Sequence, residues 1–111
     1  MVRAFVVSVL LSLCLLVGLP GRAIAADLNQ GEQIFEQSCV GCHIKGGNIV
    51  RRRKTLKLRA LQRNQMDSEA AIAEIVTRGK GIMSAYGDRL TPEEIQAVSA
   101  YVLQRALDDW R

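Results

Sequence analysis

Two cysteines and a histidine at residues 39–43 constrain this chain more than any other feature. The stretch reads Cys39-Val40-Gly41-Cys42-His43, and the pattern Cys-x-x-Cys-His is the attachment signature of a c-type haem. In such a site each thiol forms a thioether with a haem vinyl group, and the adjacent imidazole can reach the iron. The motif predicts one covalently bound haem c, attached at Cys39 and Cys42, with His43 as an axial iron ligand. His43 is the only histidine in the sequence.

A thiol pair that carries no haem is the competing interpretation of the same residues. In an exported protein, two nearby thiols can also form a disulfide or a thioredoxin-like redox pair. After residue 25, however, no stretch shows the two-residue alternation of a strand. Cys14, the remaining cysteine, lies in the apolar N-terminal segment. We therefore favour haem attachment and keep a haem-free thiol oxidoreductase that uses Cys39 and Cys42 as an alternative.

The N-terminal segment has the features of a secretory signal peptide. Arg3 precedes an apolar run at residues 4–19, and Ala-Ile-Ala at residues 23–25 forms a small-x-small cleavage site. An uncleaved membrane anchor is the alternative, but the run is shorter than the roughly 18 to 20 residues of a spanning helix. We expect residues 1–25 to be cleaved and residues 26–111 to form one exported domain. The leader is short for a two-part chloroplast targeting sequence, which favours a bacterial source for the protein.

Capping signals and apolar periodicity predict an all-α domain of about four short helices. We expect helices at residues 28–40, 57–64, 69–78 and 92–107, capped at their starts by residues that include Asp27, Ser68 and Thr91. The inward-facing side chains of the last two should be Ile72, Ile75, Val76, Ile95, Val98 and Val102. A domain of 111 minus 25, or 86 residues, has a small core. A bound apolar macrocycle would act as an internal staple.

The second iron ligand decides the chemistry, and Met83 is the best candidate. It lies in a loop at residues 80–90 between two helices and is flanked by Gly79 and Gly81. Glycine freedom would let its thioether approach the opposite haem face. Methionines usually fill gaps in cores, and Met66, before a helix cap, is a weaker candidate. Histidine and methionine ligation raises the reduction potential and closes the iron to small ligands, which is typical of electron transfer.

Basic residues are concentrated in one acid-free segment at residues 45–63. The chain has 15 Lys and Arg against 11 Asp and Glu, and losing Arg3 and Arg22 with the leader leaves 13. Eight of these lie in the segment: Lys45, Arg51, Arg52, Arg53, Lys54, Lys57, Arg59 and Arg63. The rest of the domain then has 5 basic and 11 acidic residues, a net charge of −6. The segment is either a solvated face or a docking surface for an acidic redox partner. A nucleic-acid role does not fit an exported domain whose remaining surface is acidic.

These features together resemble the class I c-type cytochromes of the cytochrome c6 group, the small electron carriers of oxygenic photosynthesis. The resemblance covers nearly all of residues 26–111. Its matching points are Ala26-Asp27-Leu28, Gly31, Phe35, the haem motif, Gly46-Gly47-Asn48, Lys54-Thr55-Leu56-Lys57, Met83, Arg89-Leu90-Thr91 and Ala100-Tyr101-Val102. The resemblance implies the class I cytochrome c fold, with helices wrapped around one haem. It also implies that the first and last helices cross closely at Gly31, with Phe35 and Tyr101 packed beside it.

The resemblance also assigns two residues near the haem and exposes two departures. Lys54 falls where family members place a lysine against a haem propionate. Thr77 stands where members commonly carry glutamine, six positions before the methionine, and is therefore an expected haem neighbour. Where members read Met-Pro-Ala-Phe, this chain reads Met83-Ser84-Ala85-Tyr86. These changes indicate a c6-like paralogue, for which we expect a lower reduction potential than in standard members.

The sequence thus predicts an exported, soluble monohaem electron carrier with no catalytic residues. By resemblance, its role would lie between the cytochrome b6f complex and photosystem I or a terminal oxidase. It would be a monomer in the thylakoid lumen or periplasm of a cyanobacterium, not embedded in the membrane after cleavage. Its membrane-bound partners or their soluble counterparts would dock through Arg51, Arg52 and Arg53. The alternative in a second class is a haem-based sensor from which Met83 dissociates.

Overall fold

The computed structural model describes the backbone of residues 20–111, with side-chain environments from Asp27 onward. Within this range the chain forms five α-helices and one 3-10 turn. They are α1 (Pro20–Ser38), α2 (Val40–His43), the 3-10 turn (Ile44–Gly46), α3 (Leu58–Arg63), α4 (Glu69–Arg78) and α5 (Pro92–Leu107). The apolar run at residues 4–19 lies outside the described residues. None of the described helices is both long and apolar enough to cross a membrane.

The starts of α4 and α5 follow the capping residues in the sequence. The Ser68 hydroxyl accepts a hydrogen bond from the Ala71 amide at 3.1 Å. At α5, Thr91 Oγ1 accepts from the Glu94 amide at 3.2 Å, while Glu94 Oε1 accepts from the Thr91 amide at 3.0 Å. Both bonds satisfy amides that a helix start otherwise leaves without partners. The predicted helices at 69–78 and 92–107 are therefore confirmed.

The first predicted helix differs from the structure at both ends. Helix α1 begins at Pro20 instead of residue 28, so Asp27 lies inside the helix and is not its cap. Proline is favoured at a first helical position, and the alanines that follow are strong helix formers. At its other end α1 stops at Ser38, and the amides of Cys42 and His43 both bond the Cys39 carbonyl. This turn at Cys39 separates α2 from α1.

Helices α1 and α5 cross at Gly31, as the family resemblance implied. A Cβ atom on Gly31 would overlap the Ala97 carbonyl oxygen and lie 2.7 Å from Tyr101 Cβ. Only glycine permits this approach. Beside the crossing, the rings of Phe35 and Tyr101 have centroids 5.5 Å apart, and Phe35 is only 2% exposed.

Helix α4 also packs against α5. The core there contains Ile72, Val76, Ile95, Val98 and Val102, all of which are buried. Ile75, also expected to face inward, is half-buried. The apolar face of each helix therefore follows its sequence period, and α5 is the element on which both α1 and α4 rest.

Trp110 fixes the loop after the cysteine motif to the helical core. Its ring centroid lies 5.3 Å from that of Phe35, and its Nε1 donates to the Leu56 carbonyl at 3.0 Å. Gly46, at φ +75°, lies against the indole, leaving no space there for a Cβ. Asp109 and Trp110 both adopt the left-handed backbone conformation, each at φ 57°. The C-terminal turn thus positions the indole, a role that the sequence prediction did not include.

Candidate haem site and basic surface

The two cysteines of the motif occupy different environments. Cys39 is half-buried against the hydrophobic core, whereas Cys42 is exposed, and no disulfide joins them. Burial raises the pKa of the Cys39 thiol to about 11. A reactive redox thiol needs a lowered pKa because the thiolate is the nucleophile. The environment of Cys39 therefore does not favour the thiol oxidoreductase alternative.

His43 ends α2, and its imidazole orientation is set by the following turn. Its Nδ1 lies 2.9 Å from the Gly47 carbonyl oxygen. Because a carbonyl can only accept, Nδ1 carries the proton and donates it. Lys45, in the left-handed conformation at φ 50°, reverses the chain so that Gly47 can reach the ring. A metal-binding histidine commonly donates its other ring N–H to a carbonyl in this way, which leaves Nε2 available for the metal.

Met83 lies in the loop at residues 79–87, which we call the methionine loop. The Lys80 amide donates to the Met83 carbonyl at 3.1 Å, and the Met83 amide donates to the Lys80 carbonyl at 3.0 Å. Gly81, at φ +59°, makes the turn between them. The Met83 side chain is half-buried and packs against the core. The loop thus presents a thioether from a closed, hydrogen-bonded turn.

Gly79 gives the methionine loop its close approach to the end of α4. It has φ 68° and ψ 176°, a conformation essentially restricted to glycine. A Cβ there would lie 2.5 Å from the Met83 carbonyl oxygen and 2.7 Å from the Ala85 amide nitrogen. The backbone on both sides of Ser84 therefore rests directly on Gly79.

Tyr86 anchors the far side of the methionine loop. Its amide donates to the Val76 carbonyl at 2.9 Å, and its hydroxyl donates to the Ser38 carbonyl at 3.0 Å. The Arg89 guanidinium lies 5.3 Å from the centre of the Tyr86 ring. The residue that replaces the usual phenylalanine thus contacts α4, the end of α1 and a nearby cation.

Thr77 and Lys54, the two haem neighbours expected by resemblance, each donate a side-chain hydrogen bond to another residue of the protein. The Thr77 hydroxyl donates to the Ala73 carbonyl at 2.7 Å, within α4. Thr77 is exposed and contributes to a surface cavity of about 340 Å³ that Leu90 and Ile95 also line. Lys54 is exposed, and its Nζ donates to Asn64 Oδ1 at 2.8 Å. Their contacts with a haem remain predictions.

Asn48 organises the loop at residues 48–54, which we call the arginine loop. Its Oδ1 accepts from the amides of Val50 at 3.0 Å and Arg51 at 2.8 Å. Its Nδ2 donates to the Lys54 carbonyl at 3.0 Å. This side chain therefore replaces backbone partners that a regular element would supply.

Asn64, at the end of α3, holds the other side of the arginine loop. Its Nδ2 donates to the Arg53 carbonyl at 3.2 Å and to the Ala60 carbonyl at 2.8 Å. Arg51, Arg52 and Arg53 are all exposed. In the part of the chain that the structure describes, the one ion pair joins Arg78 to Glu74, outside this loop. The arginine loop thus presents cationic side chains from a backbone fixed at both ends.

Exposed apolar side chains lie in or beside the methionine loop and the arginine loop. Ile44 and Ile49 are 58% and 65% exposed, and Ile82, beside Met83, is 78% exposed. Cys39, Leu56 and Met83 are half-buried against the core. Apolar surroundings, two thiols, an oriented imidazole and a thioether are the parts that a covalently attached haem requires. The residues present therefore fit a haem c.

The sequence prediction did not include the roles of several residues that shape this site. The sequence predicts a loop around Asn48 but gives its side chain no role, although an asparagine after two glycines is typical of a turn whose side chain bonds the backbone. The role of Asn64 and the contact of Tyr86 with Ser38 carry no local signal, because their partners are 10 to 48 residues distant.

Comparison with known proteins relates this arrangement to characterised cytochromes. Residues 26–102 match the family model described as cytochrome C oxidase, cbb3-type, subunit III. A cytochrome c6-like protein of Nostoc sp. is 54% identical over 89 residues, 80% of each chain. Cytochrome c6 of Thermosynechococcus vestitus is 44% identical over 110 residues, 99% of this chain and 98% of its own.

Solved structures agree with these relatives. The crystal structure of cytochrome c6C from Synechococcus sp. PCC 7002 superposes with a TM-score of 0.71 and 64% identity, covering 73% of this chain and 99% of that one. The predicted all-α, class I cytochrome c fold is confirmed. Because the relatives match over most of their own length, they define the family more narrowly than the oxidase-subunit model does.

Proposed function

The chain belongs to the cytochrome c6 family and carries one covalently bound haem c as an electron carrier, and from this premise we infer which residues hold the cofactor. Cys39 and Cys42 form the thioether attachments. His43 and Met83 are the axial iron ligands. The single observation that carries the histidine assignment is the His43 Nδ1 contact with Gly47, which leaves Nε2 as the metal-binding nitrogen.

The protein part of the site positions ligands and limits access. When bound, the haem supplies one-electron redox chemistry, and a histidine and methionine ligand pair raises its reduction potential. The turn at Lys45 fixes the imidazole, while Gly79 and the Lys80–Met83 bonds fix the thioether. A methionine held in this way would keep small ligands from the iron, and we propose no substrate chemistry for any side chain.

The two alternative functions require features that the structure does not favour. A gas or peroxide sensor needs Met83 to leave, yet the methionine loop is bonded at Lys80 and packed on Gly79. A thiol oxidoreductase needs a reactive thiolate, yet burial raises the pKa of Cys39 to about 11. The proposed carrier role requires neither the release of Met83 nor a reactive Cys39 thiolate.

The proposed partners are membrane-bound redox complexes or their soluble counterparts. The protein would carry electrons from the cytochrome b6f complex to photosystem I or a terminal oxidase. The arginine loop would orient the protein toward an acidic docking face. Charges on a preorganised loop steer encounter more than they add affinity, and salt screens them. The Asn48 and Asn64 contacts supply that preorganisation.

Flash-induced oxidation by purified photosystem I, measured against ionic strength, tests the docking surface. Replacing Arg51 and Arg52 by glutamine should lower the low-salt rate by about tenfold and flatten its salt dependence. The matched control replaces Arg78 and Arg111, which removes the same charge outside the arginine loop. Equal effects of the two double variants would show that net charge, not this loop, governs encounter.

Export is also part of the proposal: residues 1–25 are removed, and residues 26–111 act in a thylakoid lumen or periplasm. Cleavage after Ala25 would leave Ala26 at the start of a shortened α1. Trypsin would then release a peptide from Ala26 to Lys45 that carries the haem. Its mass reports cleavage and attachment together, and a peptide that begins at Ala23 would contradict cleavage at this position.

The reduction potential is the remaining part of the proposed role. Serine after Met83 and threonine at position 77 should give this paralogue a lower midpoint than a standard cytochrome c6. Potentiometric titration beside a standard member decides this point, and equal midpoints would contradict it.

A further inference from the structure

The methionine loop and the cysteine motif are connected by one hydrogen bond. Among the residues that the structure describes, the Tyr86 hydroxyl bond to the Ser38 carbonyl, 3.0 Å long, is the only hydrogen bond between residues 79–87 and residues 38–48. Ser38 is the last residue of α1 and directly precedes Cys39. The bond therefore spans the segments that carry the two proposed axial ligands.

The other hydrogen bonds that join the methionine loop to a helix all lead to α4. The amides of Gly79, Tyr86 and Gly87 donate to carbonyls of α4, at 2.7, 2.9 and 3.1 Å. These bonds fix the loop relative to α4. They leave its position relative to α1 to side-chain packing and to the phenol.

We propose that Tyr86 is a positioning residue for Met83. The Tyr86 hydroxyl holds the methionine loop against the cysteine motif and so resists loss of the Met83 thioether from the iron. This inference rests on the proposed function, because it takes Met83 as the sixth ligand. A phenylalanine at this position would keep the ring but lose the bond. The chain thereby compensates, within the loop, for the missing proline after Met83.

The hydroxyl can be removed without disturbing its surroundings. Tyr86→Phe keeps the ring, its place over the Arg89 guanidinium and the amide bond to Val76. Tyr101→Phe is the control, since it removes a phenol oxygen from a more deeply buried ring whose hydroxyl has no described hydrogen bond. Only the first variant should affect the methionine loop.

The test uses the ferric holoprotein and imidazole as a competing ligand. The wild type should show the weak long-wavelength absorption band of a methionine–iron bond, which imidazole abolishes on binding. Tyr86→Phe should bind imidazole about two- to tenfold more tightly, the effect of one ordinary hydrogen bond on an equilibrium. Tyr101→Phe should bind imidazole as the wild type does.

The outcomes separate this inference from the function on which it depends. A wild type that shows the methionine band, with equal imidazole affinity in wild type and Tyr86→Phe, would overturn the positioning role alone. A wild type without the band would overturn the ligand assignment and the inference with it. A lower melting temperature of Tyr86→Phe with unchanged imidazole affinity would also overturn it, because the hydroxyl would then be a purely structural contact.

Discussion

Replacing Gly79 by alanine should dislodge the methionine loop, and the structure gives the size of the effect. The backbone at φ 68° and ψ 176° costs a non-glycine residue about 1–3 kcal/mol. The added methyl would also lie 2.5 Å from the Met83 carbonyl oxygen and 2.8 Å from the Ser84 carbonyl carbon. Overpacking against rigid backbone costs about 1–3 kcal/mol more. We expect the free energy of unfolding to fall by about 2–6 kcal/mol, the sum of these two costs.

Gly81→Ala is the control within the same loop. Gly81 also has a positive φ, +59°, but a Cβ there would meet no atom within 4 Å. Its cost should be the left-handed conformation alone, about 1–2 kcal/mol. Urea titration of both holoproteins measures the difference, and the methionine–iron band shows whether the loop moved. If both variants lose the same stability and keep the band, Gly79 is not the close support of the methionine loop.

Two further predictions concern the helical core. Gly31→Ala should lower the free energy of unfolding by about 1–3 kcal/mol, because its methyl would overlap the Ala97 carbonyl. Gly41→Ala, which meets nothing within 4 Å, should change stability by about 1 kcal/mol or less. Burial, and next the charge of Glu32, raise the pKa of Tyr101 above its ordinary value of 10.0. The unfolded chain therefore loses this proton first as the pH rises above 10.0, so stability should fall there. Urea titrations across this range should show a shallower fall in Tyr101→Phe, and identical slopes would contradict the assignment.

The helical framework could be predicted because its signals are local. Thr91, Pro92 and Glu94 specify the start of α5 without reference to any distant residue, and the predicted range 92–107 agrees with the structure. Val98 and Val102 are buried because their spacing places them on one helix face. Local capping and periodicity were therefore sufficient for α4 and α5.

The start of α1 could not be predicted in this way. Asp27 has the chemistry of an N-cap, but the residues before it also favour helix, and backbone bonding continues through it. A side-chain cap is needed only at a helix start, where the first amides have no partner within the helix. In a chain cleaved after Ala25, Asp27 would lie at the second position of the shortened helix.

The contacts that position the candidate site depend on residues far apart in the chain. The bond from Tyr86 to Ser38 and the bond from Trp110 to Leu56 span 48 and 54 residues. Neither could be predicted from spacing, because which side chains meet depends on how α1, α4 and α5 pack. The haem motif identified the chemistry, whereas these tertiary contacts determine how its two loops are held.

Carbon monoxide binding to the ferrous holoprotein at neutral pH tests the central claim most directly. Our account predicts no change in the visible spectrum of the wild type, since Met83 occupies the sixth position, and ready binding by Met83→Ala, in which that position is open. Ready binding of carbon monoxide by the wild type would contradict a closed electron carrier and favour a ligand-binding haem protein.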